Sequence, residues 1–249
     1  MEASDNSPPK KKTKKSVATV TPLFPFYLNS KITATSNHIK GDEDEEDPDE
    51  KNTLKDTDAD ADVNDVENIE NTMYHEIGVD EAGRGPLFGR VYTAAVVLPK
   101  PKDDKESSFK YDILKDSKRF HSEKKINEVA EYIKEHAEAW CVSYKSETDI
   151  DRINIRQAVL SSMHDSIAGC ISQIDDAIDP TLTENNAEYF LLIDGNDFKP
   201  YIYLSSSDIL ETVKYKCIEG GDNKYCAIAA ASILAKVERD KYVLELCES

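Results

Sequence analysis

A run of acidic residues near the N-terminus limits which part of this chain can fold. Residues 41–70 contain fifteen Asp or Glu and only two Lys, with few apolar side chains between them. Such a segment cannot bury enough apolar surface to offset the entropy lost when it is ordered. The preceding residues 1–40 carry seven Lys against two acidic residues. We therefore predict a disordered charged tail over 1–72, basic and then acidic, and one folded domain over 73–249.

The predicted domain is long enough for one buried core and too short for two. The sequence has no run of 18 or more apolar residues, which excludes a membrane-spanning helix, and its N-terminus lacks the apolar core of a secretory signal. Its five cysteines form no C-x-x-C pair, so neither a disulfide framework nor a zinc site is indicated. We expect an intracellular protein with reduced thiols and no membrane partner.

Two short segments of the tail differ from the rest. Residues 10–15 form a lysine cluster, which is either a nuclear import signal or a solvated run of charge. The first reading predicts a nuclear protein and the second a cytoplasmic one. Residues 21–29 are the only apolar patch of the tail and form a candidate docking peptide without an identified partner.

Strand patterns begin at Tyr74. In residues 74–80, Ile77 and Val79 alternate with less apolar positions, and residues 90–98 form a β-branched run. The glycine-rich stretch between them predicts a hairpin. The remaining apolar runs predict a strand at 139–145, a strand buried on both faces at 189–194, and a strand nearer the edge at 213–219.

Helical spacing of apolar residues predicts three helices, at 122–137 with Ser122 as its cap, at 149–174, and at 226–247. The predicted order is β-β-α-β-α-β-β-α without an internal repeat. Such a mixture is typical of an α/β domain. We expect a mixed sheet of about five strands flanked by helices.

Four acidic residues stand where predicted strands end: Asp80, Glu81, Asp194 and Asp222. Functional sites of open α/β sheets form at such positions. If the carboxylates converge, they repel one another, and a hard divalent cation such as magnesium would relieve that repulsion. Aspartate is also favoured in ordinary turns, so this spacing alone leaves a purely structural role open.

Two further segments suit a polyanionic substrate. Gly83, Arg84 and Gly85 form a loop whose missing side chains would let the backbone approach a ligand, although an ordinary hairpin turn has the same composition. Residues 114–125 carry a local excess of lysine and arginine, including Lys118, in an otherwise acidic domain. Such side chains bind phosphates irrespective of base sequence.

Residues 78–87, with the sequence GVDEAGRGPL, resemble the signature of the type 2 ribonucleases H, the HII family. Further matches follow in the family's order along the chain. They are DSK at 116–118, IDRINIRQA at 150–158, LIDGN at 192–196, and AAASILAKV at 229–237 with Arg239 and Asp240. The resemblance covers roughly residues 74–245.

This resemblance implies a ribonuclease H-like fold and an endonuclease that cuts RNA in RNA/DNA hybrids or at single ribonucleotides in duplex DNA. It implies two-metal-ion hydrolysis with Mg²⁺ or Mn²⁺, leaving 5′-phosphate and 3′-hydroxyl ends. Matched position by position, it makes Asp80, Glu81, Asp194 and Asp222 the catalytic metal ligands. The substrate would be bound by Gly83, Arg84 and Gly85, which match the loop that reads the 2′-hydroxyl, and by Ser117 and Lys118.

Members of that family continue into a C-terminal helical segment with a tyrosine that stacks on the substrate. This sequence stops at Ser249 without an equivalent, so we expect a domain truncated at its C-terminus. Accessory protein subunits could supply the missing part. The alternative to an active enzyme is accordingly an inactive or partner-dependent subunit that binds the hybrid.

Overall fold

The computed structural model describes residues 22–28, 74–86, 88–100, 109–177, 188–204 and 209–248. Its central feature is a five-stranded sheet made of β1 (Tyr74–Ala82), β2 (Val91–Val97), β3 (Ala139–Lys145), β4 (Glu188–Asp194) and β7 (Lys214–Ile218). The strands lie side by side in the order β3-β2-β1-β4-β7. The strand β2 is antiparallel to β1 and β3, whereas β4 and β7 run parallel to β1. The predicted mixed sheet of about five strands is confirmed.

Among the described residues, four α-helices accompany the sheet: α1 (Glu123–His136), α2 (Glu147–Ile153), α3 (Ile155–Ala177) and α4 (Cys226–Glu248). The helix α3 covers one face, and its predicted apolar residues, Met163 and Ile167 among them, are buried against the sheet. The helices α4 and α1 cover the other face. Because both faces are covered, β4 is a continuous apolar run, as the sequence predicts. None of the helices in the described part of the chain is long and apolar enough to cross a membrane.

The predicted single helix at 149–174 is wrong at its start, where the chain forms two helices. Asn154 lies between them with φ 69° and ψ 161°, a positive-φ conformation that residues other than glycine rarely adopt. Its side-chain oxygen accepts a hydrogen bond from Gln157 N (3.0 Å) and so caps α3. Ser146 caps α2 in a reciprocal capping box with Asp149. Ser122 stands at the N-cap position of α1, but its side chain makes no capping hydrogen bond.

The sequence analysis also missed a two-stranded sheet outside the main one. It consists of β5 (Ile202–Leu204) and β6 (Leu210–Thr212), which pair antiparallel. Each strand has three residues and is largely exposed, so neither shows the apolar alternation of a core strand.

The first described strand starts at Tyr74, one residue after the predicted domain boundary, and part of the predicted tail lies on the domain. Residues 22–28 pack against the sheet and α4, with Phe26 and Tyr27 buried. The rest of the tail, including the lysine cluster and the acidic run, lies outside the described residues.

Candidate active site

The parallel pairing of β1 and β4 brings two of the predicted carboxylates together. Val79 is the register partner of Ile193, so Asp80 and Asp194 follow side by side where the strands end. Both point to the face covered by α4, because the residues before them, Val79 and Ile193, face α3. The sequence analysis placed Asp80 and Glu81 where the first strand ends. The strand β1 in fact continues to Ala82, so both residues lie inside it.

Asp80 is buried, with 5% of its surface exposed. One of its carboxylate oxygens accepts a hydrogen bond from Glu81 N (2.7 Å), and Ser232 of α4 also hydrogen-bonds to the side chain. Burial raises the pKa of Asp80 well above its ordinary value, and the charges of Asp194 and Glu81 raise it further. This combination marks a carboxylate whose negative charge is poorly compensated by the protein alone.

Asp194 connects β4 to the turn that carries Asp222. Its Oδ1 accepts a hydrogen bond from Gly221 N (2.7 Å), at the start of the 3-10 turn Gly221–Asn223. A Cβ at Gly221 would lie 2.5 Å from the Cδ1 of Ile228 and 3.3 Å from Asp194 Oδ1, so a side chain there would displace the Ile228 side chain and crowd the Asp194 carboxylate. Glycine at this position therefore permits the close approach of Asp222 to the strand ends.

Asp222 is also buried, and its pKa is raised by the burial and then by the charges of Asp194 and Asp116. Asn223 Nδ2 donates to Asp222 (3.0 Å) and to Asp116 (3.3 Å). Asp116 in turn accepts from Lys118 N (2.8 Å) and caps the short turn Ser117–Arg119. The motif around Lys118 is thus attached to the turn of Asp222.

Lys118 and Ser117 occupy different environments in that short turn. Lys118 is exposed and near enough to Asp222 for its charge to lower the pKa of that carboxyl. Ser117 is buried, and its hydroxyl pairs with that of Ser232 (3.0 Å). Ser117 therefore does not face solvent, and hydrogen bonds connect it through Ser232 to Asp80.

Glu81 and Arg84 form an ion pair (3.6 Å) beside the other carboxylates. Burial raises the pKa of Glu81, the Arg84 charge opposes that rise, and the Asp194 charge adds to it. Asp197, three residues after Asp194, lies 4.0 Å from Arg84 and accepts two hydrogen bonds from Arg156 (2.7 and 2.6 Å). An ionic chain therefore links Glu81 through Arg84 and Asp197 to the start of α3.

The glycine loop has two distinct glycine positions. Gly83 has φ +102°, and a Cβ there would lie 2.7 Å from Arg239 Nε and 2.8 Å from the carbonyl oxygen of Arg90. Position 83 therefore requires glycine for two reasons: its φ is positive, and the neighbouring atoms leave no room for a Cβ. A Cβ at Gly85 would meet nothing within 4 Å among the described residues, so its backbone is open to a ligand.

All four predicted carboxylates thus meet at one end of the sheet, with the glycine loop and Lys118 beside them. Among the described residues, no three or more His, Cys, Asp or Glu side chains are placed so that they could hold a metal ion as they stand. The donor set itself fits a hard divalent cation, because it consists of carboxylate oxygens, and burial together with neighbouring negative charges raises the pKa values of Asp80, Glu81 and Asp222.

Sequence reasoning missed four residues that support this site: Ser232, Asn223, Asp197 and Arg156. Ser232 had a usable signal, since it is a polar residue in the otherwise apolar stretch 226–235. The other three lie in polar surroundings where the sequence pattern distinguishes no position.

Comparison with known proteins identifies the family of this chain. The sequence model of the family described as Ribonuclease HII matches residues 77–249. The ribonuclease HII of Bacteroides fragilis is 43% identical over 171 residues, which cover 69% of this chain and 70% of that protein. The chain belongs to the ribonuclease HII family. The ribonuclease HII of Chlorobium luteolum is 38% identical over 178 residues, covering 72% and 73% of the two chains.

Among solved structures, the ribonuclease H2 of Pyrococcus horikoshii superposes with a TM-score of 0.51 at 22% identity, covering 70% of this chain and 76% of that one. This likeness confirms the predicted ribonuclease H-like fold. As a member of the ribonuclease HII family, the chain is a ribonuclease H, a hydrolase that acts as an endonuclease on RNA/DNA hybrids.

Proposed function

We propose that this protein cleaves the RNA strand of hybrids and also duplex DNA at a single embedded ribonucleotide, leaving 5′-phosphate and 3′-hydroxyl ends. The observation that carries the proposal is the convergence of Asp80, Asp194 and Asp222 at one end of the sheet, joined by the 2.7 Å hydrogen bond from Gly221 N to Asp194.

We assign the metal-binding role to these carboxylates together with Glu81. Bound there, Mg²⁺ or Mn²⁺ would activate the attacking water and stabilise the leaving oxygen of the phosphodiester. The protein contributes the negative charge and its placement. Ser232 and the backbone of Glu81 hold Asp80, while the backbone of Gly221 holds Asp194.

We assign different parts of substrate binding to the residues beside the carboxylates. The open backbone at Gly85 and the neighbouring Gly83 are proposed to read the 2′-hydroxyl, the group that distinguishes RNA from DNA. Arg84 and the exposed Lys118 are proposed to bind phosphates on either side of the site. Ser117 is buried, so its proposed part is to hold Ser232, and through it Asp80.

The test uses the full chain with Mg²⁺ or Mn²⁺ and three substrates: an RNA/DNA hybrid, a DNA duplex with one ribonucleotide, and the same duplex without it. We expect cleavage of the first two and none of the third. In Asp80→Asn and Asp194→Asn, the cleavage rate should fall by roughly a hundredfold or more, a barrier rise of about 3 kcal/mol. Asp151→Asn, which removes an exposed carboxylate of α2, is the matched control and should cleave like the parent.

A second readout does not depend on activity. Addition of Mn²⁺ should raise the melting temperature of the parent and of Asp151→Asn, but not that of Asp80→Asn or Asp194→Asn. Tight binding of the ribonucleotide-containing duplex by the folded parent, with no cleavage in either metal, would contradict the proposal and favour a binding subunit that needs a partner.

A further inference from the structure

Residues 22–28, which we call the strap, lie outside the stretch matched by the family and yet make backbone hydrogen bonds next to the active site. Phe24 N donates to Lys224 O (2.8 Å), and the carbonyl oxygen of Phe24 accepts from Cys226 N (2.9 Å). Lys224 and Cys226 directly follow the turn that carries Asp222. The N–H of Cys226 is one of the groups at a helix start that have no partner within the helix, and Phe24 supplies that partner.

The other end of the strap caps a buried charge on β1. The backbone N–H groups of Tyr27 and Leu28 donate to the two carboxylate oxygens of Glu76 (3.0 and 3.2 Å). Glu76 is only 3% exposed, and Lys100 approaches it to 4.0 Å. Since a buried carboxylate is stable only when its oxygens have partners, β1 is built to receive the strap. Glu76 lies four residues before Asp80 on the same strand.

Aromatic packing fixes the strap between these two attachment points. The ring of Tyr27 stacks on Phe190 of β4 (5.7 Å between ring centroids) and meets the edge of Tyr225 (5.3 Å). Phe26 is buried and packs edge-on against Tyr111 (5.8 Å). The strap therefore contacts both strands that carry catalytic carboxylates and the turn that carries Asp222.

We propose that the strap is a positioning element, which holds the turn of Asp222 against β1 and β4 and so sets the spacing of the carboxylates. The geometry supports this role: the hydrogen bond from Gly221 N to Asp194 joins the start of the turn to β4, and the two hydrogen bonds of Phe24 hold the chain where it leaves the turn. This proposal rests on the proposed function for the role of Asp222. Phe24 and Tyr27 are thus positioning residues, and neither is assigned a contact with substrate.

The test begins with Tyr27→Ala in the full chain, which removes both ring contacts and leaves the backbone free to hydrogen-bond. Hydrogen exchange at the amide of Cys226 should become about tenfold faster, because the strap opens more often. The kcat for the ribonucleotide-containing duplex should fall by roughly ten- to a hundredfold, with KM little changed, since misplacement of a catalytic group affects the chemical step.

Two controls in the full chain separate positioning from general damage. Tyr27→Phe keeps the ring on Phe190 and Tyr225 and should regain most of the kcat and amide protection that Tyr27→Ala loses. Ile39→Ala, a truncation elsewhere in the N-terminal region, should behave like the parent.

Unchanged exchange at Cys226 and unchanged kcat in Tyr27→Ala would overturn the proposal. A rise in KM with kcat unchanged would also overturn it, because the strap would then be a substrate contact. If the parent itself does not cleave, the proposed function fails, and the exchange rate of Cys226 then decides by itself whether the strap holds the turn.

Discussion

Gly78 shows how one missing side chain decides the distance between the sheet and α4. A Cβ at this position would lie 2.2 Å from the carbonyl carbon of Ala227 and 2.3 Å from its oxygen, both of them backbone atoms. Backbone in the middle of a packed interface cannot yield as the tip of a flexible side chain can. The close approach matters for function because α4 also carries Ser232, which hydrogen-bonds to Asp80.

We therefore expect Gly78→Ala to lower the free energy of unfolding by about 3 kcal/mol, the upper range for overpacking. Urea unfolding of the parent and the variant measures the difference. Gly85→Ala is the matched control, because its Cβ would meet no described atom within 4 Å, and its stability should equal that of the parent. Equal stability of Gly78→Ala and the parent would contradict the close packing of α4 on β1.

Asp197 lies between two arginines, and we expect it to orient Arg84 for the substrate. Hydrogen bonds from Arg156 hold the pKa of Asp197 below its ordinary value, so its carboxylate is charged at neutral pH. In Asp197→Asn the charge is removed, and KM for the hybrid should rise by up to about fivefold, the range of a partly exposed ion pair. The kcat should change little, since Asp197 holds no reacting group.

Steady-state kinetics at low ionic strength give KM and kcat for this variant separately. Asp176→Asn removes an exposed carboxylate at the opposite end of α3 and serves as the control. A fall in kcat with KM unchanged would show that Asp197 acts on the carboxylates of the site and not on Arg84.

At the scale of elements, a partly buried ion pair ties α1 to α4. Lys134 Nζ of α1 lies 2.9 Å from Glu238 of α4, and Lys241 lies 3.1 Å from the same carboxylate. Burial by itself would raise the pKa of Glu238, but the hydrogen bonds from these two lysines outweigh it and hold the pKa below 4.5. The folded protein therefore binds the proton of Glu238 less tightly than the unfolded chain does.

A pH-dependent contribution to stability follows from this depressed pKa. The contribution is fully present above the unfolded value and is lost as the pH falls through the folded value. Glu238→Gln should lower the free energy of unfolding by about 1 kcal/mol at neutral pH. Denaturant unfolding of both proteins near pH 7 and near pH 3 checks this, and the difference should shrink at the lower pH. A difference that persists or grows on acidification would be inconsistent with the ion pair.

Helix boundaries were harder to predict than helix faces. The apolar spacing of α3 identifies its buried residues correctly, because burial follows the 3.6-residue period. The same period continues across Asn154, where a single residue with positive φ separates α2 from α3. A hydrophobic pattern records which side of a helix is apolar, and it is insensitive to one residue that changes the direction of the backbone.

At the scale of the whole molecule, the net charge of the protein has the same sign as that of its nucleic-acid substrate. The chain has a formal net charge of −18, and residues 41–70 alone contain fifteen acidic residues. A polyanionic duplex is therefore repelled by the protein's long-range field even though basic residues lie beside the site.

A variant in which those fifteen acidic residues are replaced by Asn or Gln removes their charge. It keeps the length of the chain between the strap and β1.

We expect this amide variant to bind the hybrid with a KM lower by several-fold at low ionic strength. The difference should disappear at high salt, where charges more than about 3 Å apart in solvent are screened. Measuring KM of the parent and the variant across a salt series tests this. The same KM for both proteins at every salt concentration would show that the acidic run acts only as a spacer.

The candidate site was predicted from the sequence more completely than the surface around it. Asp80, Glu81, Asp194 and Asp222 were predicted because they stand where predicted strands end, and their role as metal ligands was predicted from the resemblance to the type 2 ribonucleases H. The hairpin of β5 and β6 was not found, because its exposed three-residue strands carry no burial pattern.

The sequence by itself determined the mixed α/β class, the buried faces of the helices and the family, and it predicted the four carboxylates that we propose as metal ligands. These properties follow from local periodicity and from motifs that are contiguous along the chain. Only the tertiary structure decided that Ser117 is buried behind Ser232, that Asp197 lies between Arg84 and Arg156, and that the strap joins β1 to the turn of Asp222. Each of these contacts joins residues far apart in the chain, and such contacts depend on how the layers pack, which no local pattern records.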